Sequence, residues 1–142
     1  MATLLIVDDD NLVRNTLNEL LSQSHECHTA DRAEQALAYL EIENYDAVIT
    51  DIAMPGLSGR EILKRIQEQH PATPVIVISG DADEESAKEL IALGAFAYLR
   101  KPFHLEDVEA EVDRALAYRQ EQADASSAEE PATESTDNSE PV

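Results

Sequence analysis

Cysteine occurs once in this 142-residue chain, as Cys27, so no internal disulfide can brace the fold. The residue falls in a strand-like stretch and reads as a small buried hydrophobe without chemistry of its own. Long apolar runs are also missing: those such as Leu4 to Val7 and Val75 to Ile78 fall far short of the roughly 20 residues a membrane helix needs. No basic-then-apolar leader opens the chain. The expectation is a cytoplasmic protein with no membrane partner. Bases are scarce, with 10 Lys and Arg against 30 Asp and Glu, a net charge of −20. Such a surface repels the phosphate backbone that dominates nucleic-acid affinity, so direct DNA or RNA binding is not expected.

What is present fits one domain. A chain with 43% apolar residues can build one real core and is too short for two ordinary ones. The acids are unevenly placed: Glu121, Asp124, Glu129, Glu130, Glu134, Asp137 and Glu140 lie in the last stretch, which holds no base. That stretch is rich in Ala, Ser, Thr, Glu and Pro, and Val142 is its only large apolar residue, so it cannot bury enough surface to offset its ordering entropy. Residues 1–119 are therefore expected to fold and residues 120–142 to form a disordered acidic tail.

Before the tail, short β-branched runs alternate with stretches of helical period, the pattern of βαβ units around a parallel sheet. Strands are expected at Leu4 to Val7, Glu26 to Ala30, Ala47 to Thr50, Pro74 to Ser79 and Ala95 to Leu99. The first, third and fourth are apolar nearly throughout, as strands covered on both faces should be. The second alternates and reads as an edge. Leu12, Val13, Thr16, Leu17, Leu20 and Leu21 recur at helical spacing, as do Ala33, Ala36, Leu37 and Leu40, then Ile62, Leu63 and Ile66, and finally Leu105, Val108, Val112 and Leu116. Asp31 with Glu34 and Ser58 with Glu61 fit a cap residue followed three later by Glu, and Asp83 can cap the fourth helix. Pro71 and Gly94 supply helix stops.

In an open parallel sheet, ligands sit beyond the carboxyl ends of the strands, where the strand order reverses. The first strand runs into Asp8, Asp9 and Asp10, the third into Asp51, the fourth into Ser79, and the fifth into Lys101 and Pro102. Several carboxylates at one buried edge repel each other unless a cation neutralises them. Oxygen-only ligands suit Mg²⁺, while Asp10 reads as a cap for the first helix. Lys101 can pair with Asp51 at rest and with a phosphoryl oxygen later. A carboxylate can also act as nucleophile and form an aspartyl phosphate, which makes Asp51 the candidate acceptor and Ser79 a candidate donor to its phosphoryl oxygens. Of the histidines, His25 and His28 flank Cys27 but complete no ligand set, because neighbours in a strand face opposite ways. His70 and His104 read as a helix end and a loop.

The segments LLIVDDD, AVITDIAMPGLSG, VIVISG and FAYLRKPF, in this order and at these spacings, resemble the receiver domain of two-component response regulators over about residues 2–119. With the strand pattern, this leads to an expected α/β fold, a doubly wound five-stranded parallel sheet of flavodoxin-like order 2-1-3-4-5. The resemblance implies Asp51 as phosphoacceptor, Asp8 and Asp9 as the acidic pair, Ser79 as the conformational hydroxyl, Lys101 as the phosphate-contacting lysine and Tyr98 as the aromatic switch. It further implies that Asp9, Asp51 and the backbone carbonyl of Ala53 ligate Mg²⁺ directly, with Asp8 acting partly through water, and that the Lys101-Pro102 bond is cis. The implied phosphodonor is a sensor histidine kinase or histidine phosphotransfer protein. The implied output surface, for a partner or a homodimer, is the fourth helix, fifth strand and fifth helix. A phosphatase of the haloacid dehalogenase type would carry a second Asp where Ala53 stands. A docking module that is never phosphorylated would not need the intact set of Asp8, Asp9, Asp51 and Lys101.

Overall fold

The computed structural model describes residues 2–52, 59–80 and 84–129. Strands β1 (Thr3–Val7), β2 (Glu26–Ala30), β3 (Ala47–Asp51), β4 (Val75–Ser79) and β5 (Ala97–Arg100) alternate with helices α1 (Asn11–Leu21), α2 (Ala33–Ile42), α3 (Gly59–Gln69), α4 (Glu84–Ala92) and α5 (Leu105–Glu129). All neighbouring strands pair parallel, in the order β2-β1-β3-β4-β5. The expected sheet is therefore the one observed. Because each parallel connection must cross over the sheet, helices cover both faces. Leu17 and Leu21 of α1 pack with Val108, Val112 and Ala115 of α5 on one face, against Leu4, Ile6, Ile49, Ile76 and Ile78. On the other face, Ala36 and Leu40 of α2, Ile62, Leu63 and Ile66 of α3 and Leu90 of α4 cover Leu5, Val7, Val48, Val75 and Val77.

Several local readings change. Leu12, in the first turn of α1, is 74% exposed; the buried stripe of that helix is Leu17 and Leu21. Helix α2 is not capped by Asp31: its cap residue is Arg32, with no side-chain cap bond. Asp31 lies one position too early to serve, and its backbone N–H donates to Gln35 Oε1 at 3.1 Å. Strand β5 starts two residues later than expected, since the Ala95 N–H is still held by Leu90 O of α4 at 3.0 Å.

The largest departure is α5, which runs past Arg119 to Glu129, into the stretch expected to be disordered. Its sequence there, QEQADASSAE, has strong helix formers in Ala, Glu and Gln and no Pro before Pro131, so local propensity extends a helix that packing has already nucleated. The expected disorder of residues 130–142 lies outside the described residues, as do the capping roles given to Ser58 and Asp83. Pro71 and Gly94 do follow helix ends, and Gly94 takes φ +111°, a left-handed conformation that glycine adopts without a Cβ penalty. Among the described residues no helix is long and apolar enough to cross a membrane.

Candidate functional site

Strand register brings the chemistry to one edge. Val7 lies opposite Thr50, so Asp8 and Asp51 follow as neighbours at the point where the strand order reverses. Asp51 lies opposite Ile78, which puts Ser79 one step beyond it, and Ser79 faces Arg100, after which the chain turns into Lys101. The Lys101 N–H donates to Ser79 O at 2.8 Å, and the Lys101-Pro102 bond is cis.

Lys101 reaches back across the edge. Its Nζ lies 3.1 Å from Asp8 Oδ2 and 3.2 Å from Asp51 Oδ2. Asp8, Asp51 and Ser79 are all buried, whereas Asp9 is exposed. One carboxylate oxygen from each of Asp8, Asp9 and Asp51 can be chosen such that all lie within 4.8 Å of one another. Asp8 Oδ1 accepts the Asp10 N–H at 2.9 Å, but its Oδ2 accepts no well-directed hydrogen bond despite the nearby ammonium. Asp10 itself caps α1, accepting from Leu12 N at 2.9 Å and Val13 N at 3.4 Å, and so has the capping role read from the sequence. The Arg14 guanidinium donates to Asp8 O at 2.7 Å.

The electrostatics follow from this crowding. Burial pushes the Asp8 carboxyl above its ordinary value, and the Asp51 charge adds to the rise, against the Asp10 N–H and Lys101, which lower it. Burial alone would lower Lys101, but Asp8 and Asp51 outweigh it and leave the ammonium above its ordinary value. Asp8 and Asp51 thus share the Lys101 ammonium, with the exposed Asp9 carboxylate close by. The all-oxygen donor set, the undirected Asp8 oxygen and the raised Asp8 carboxyl together fit a hard divalent cation, and the pocket could hold a metal.

Of the other residues singled out from the sequence, Tyr98 is half-buried, pairs with Val77 across β4 and packs against the core on the α2, α3 and α4 face. Ala53 lies outside the described residues. Cys27 is half-buried, its thiol pushed up to about 11 by burial and then by Glu26, which leaves it unreactive at neutral pH.

One contributor escaped the sequence reading. A Cβ on Gly59 would lie 2.3 Å from Asp51 O and 2.8 Å from Ile52 Cα, so the first residue of α3 touches the backbone that presents Asp51. The constraint is one of space, set by a tertiary contact, and the sequence carries no periodic signal for it.

The family model of the response regulator receiver domain matches residues 4–113. The DNA-binding transcriptional regulator NtrC of Klebsiella pneumoniae is 38% identical over 118 residues, which cover 82% of this chain and 25% of that protein. The chain therefore spans about a quarter of that relative's length. A response regulator receiver domain protein from Clostridium thermocellum superposes with a TM-score of 0.79 at 32% identity, covering 84% of this chain and 98% of the other. A BeF3-activated DrrB receiver domain does so with 0.78 at 33%, covering 82% and 98%. With fold, strand order and edge chemistry in agreement, the chain belongs to the response regulator receiver domains of two-component systems.

Proposed function

We propose that this receiver domain is a phosphoryl-accepting switch in which Asp51 is the acceptor. The observation that carries this reading is the position of Lys101 Nζ, 3.1 Å from Asp8 and 3.2 Å from Asp51, where it neutralises the resting carboxylates and lies within reach of a group added to either. In the proposed step an Asp51 carboxylate oxygen attacks the phosphorus of a phosphohistidine donor. The P–N bond breaks and its electron pair returns to the imidazole. Asp9, Asp51 and the Ala53 carbonyl would hold Mg²⁺, with Asp8 acting partly through water, and the ion would supply charge neutralisation for the phosphoryl oxygens. Lys101 then pairs with a phosphoryl oxygen and the Ser79 hydroxyl donates to another.

The signal would leave through α4, β5 and α5. Ser79 closes β4, directly beside β5, and inward movement of the loop after it would open space into which Tyr98 turns. A few kcal/mol of new charge-assisted hydrogen bonding is enough to reverse a two-state equilibrium whose minor form is at the percent level. Ile91 of α4, Leu93 just beyond it, and Leu105 and Tyr118 of α5 are exposed, an apolar set available to an output protein or a second copy. The donor in this reading is a sensor histidine kinase or histidine phosphotransfer protein in the cytoplasm. In this reading the net charge of −20 disfavours direct DNA contact by this domain.

Intact-mass measurement with a small phosphodonor and Mg²⁺ tests the acceptor: wild type gains one base-labile phosphate and Asp51→Asn gains none. Equal labelling of the variant rejects the assignment, and no labelling of either favours a docking module. Beryllofluoride-induced NMR shifts over residues 87–116, large in wild type and reduced in Ser79→Ala, test the coupling.

A further inference from the structure

We propose that Glu26, His28 and Glu43 form a second metal site, for a divalent transition ion of the Zn²⁺ class, on the edge of the sheet away from the acidic pocket. Glu26 and His28 are two residues apart on β2 and so project from the same face. Glu43 follows α2 in extended conformation, its N–H held by Tyr39 O. One ligand atom from each of the three lies within 4.8 Å of the others. His28 and His25, paired around Cys27 in the sequence, offer no such set; the missing ligands are glutamates, one brought in from the far end of α2.

The imidazole is already oriented. Tyr45 OH lies 2.8 Å from His28 Nδ1, the two rings meet edge-on at 5.4 Å, and Tyr39 flanks the imidazole at 6.1 Å. Tyr45 is 1% exposed, and a hydroxyl can donate to or accept from either tautomer of the imidazole. That leaves Nε2 facing outward, 2.9 Å from Glu26 Oε2. A ligating histidine held through its other ring nitrogen is the usual second-shell arrangement of metal sites. Glu26 and Glu43 are exposed and His28 is partly buried, so the three side chains meet at an accessible surface. Imidazole with carboxylates suits Zn²⁺ and neighbouring transition ions, whereas the all-oxygen pocket suits Mg²⁺, so the two sites differ in selectivity. Water would fill the remaining coordination positions.

The test is calorimetric titration of the full chain with ZnCl₂ in excess Mg²⁺. Wild type should bind one Zn²⁺ per chain, and Asp9→Asn, altered only in the acidic pocket, should do the same. His28→Gln should weaken binding by at least about tenfold, as should Tyr45→Phe through loss of the orienting hydroxyl. Glu43→Gln lies outside the ring cluster and should weaken binding with an unchanged circular-dichroism spectrum, which keeps the test valid if His28→Gln unfolds. Absence of binding in wild type, an unchanged isotherm in Glu43→Gln, or loss of the Zn²⁺ signal in Asp9→Asn would each overturn the proposal.

Discussion

Gly59→Ala should destabilise the domain and slow labelling of Asp51, although it exchanges a poor helix former for the best one. The added Cβ would lie 2.3 Å from Asp51 O and 2.8 Å from Ile52 Cα, against an ordinary contact of roughly 3.5 Å. Relief needs a shift of about 1 Å, and neither side yields freely. Helix α3 is anchored by the buried Ile62, Leu63 and Ile66. The end of β3 is tied to β4 by the Ile52 N–H, which donates to Ile78 O at 3.1 Å. Overpacking of this kind costs about 1–3 kcal/mol, while the propensity gain is at most about 1 kcal/mol and smaller at a first helical position. A net loss of about 1–2 kcal/mol should lower the melting temperature by roughly 3–10 °C for a domain of this size. Gly80→Ala is the control, because its nearest neighbour would be Lys101 Cβ at 4.0 Å. Thermal melts of both variants with mass-based labelling rates make the assay. A melting temperature for Gly59→Ala within about 1 °C of wild type would refute the argument.

Lys101→Met removes the one ammonium lying 3.1 Å and 3.2 Å from two buried carboxylates; each contact is worth about 5 kcal/mol gross at an effective dielectric of 20, most of it offset by desolvation, so a net loss of about 1–3 kcal/mol is expected in denaturant titration. Because the folded Lys101 lies above its ordinary value of 10.5, that contribution is complete below 10.5 and is lost as pH rises through the raised value, so the wild-type advantage should fade only in strong alkali. Asp8→Asn should stabilise the metal-free fold at neutral pH: with its folded value above 3.8, Asp8 favours folding below 3.8 and loses that contribution as pH rises through the raised value, so the gain over wild type should be smallest in acid and grow toward pH 7 in pH-dependent melts. Asp46→Ala removes both the Arg119 ion pair at 3.0 Å and the acceptor of the Thr3 N–H at 2.8 Å and should cost about 1–2 kcal/mol by chemical denaturation, with labelling of Asp51 unchanged.

Sequence and fold correspond best where burial is complete. Val75 to Ile78 and Leu4 to Val7 are uninterrupted apolar runs, and both became central strands; β2, with its alternation, became an edge paired only to β1. Errors gathered where local and tertiary forces compete. Leu12 follows the helical period, yet in the first turn of α1 it is left exposed while Leu17 and Leu21 are buried. Asp31 has the chemistry of a cap and misses by one residue. The α5 extension reverses the usual bias, since an acidic, low-hydropathy sequence still propagates a helix once Val108, Val112 and Ala115 have fixed its start.

The candidate site was legible for a different reason: a parallel sheet sends every strand end to the same edge, so Asp8, Asp51, Ser79 and Lys101 could be grouped before any distance was known. Gly59 and the Glu26, His28 and Glu43 cluster depend instead on which loops and helix ends meet, and no spacing encodes that. The grouped charges also bear on the proposed chemistry. Among the described residues, Asp8, Asp9 and Asp51 set three carboxylates against the Lys101 ammonium, with the Arg14 guanidinium donating to Asp8 O, and in the proposed chemistry a phosphoryl group of about −1.5 to −2 on Asp51 adds roughly another half to one negative charge. Lys101 already contacts both Asp8 and Asp51, so its single charge cannot offset the increase. A pocket that concentrates acid in this way could hold a metal, and under the proposed transfer a further cation would offset the added charge.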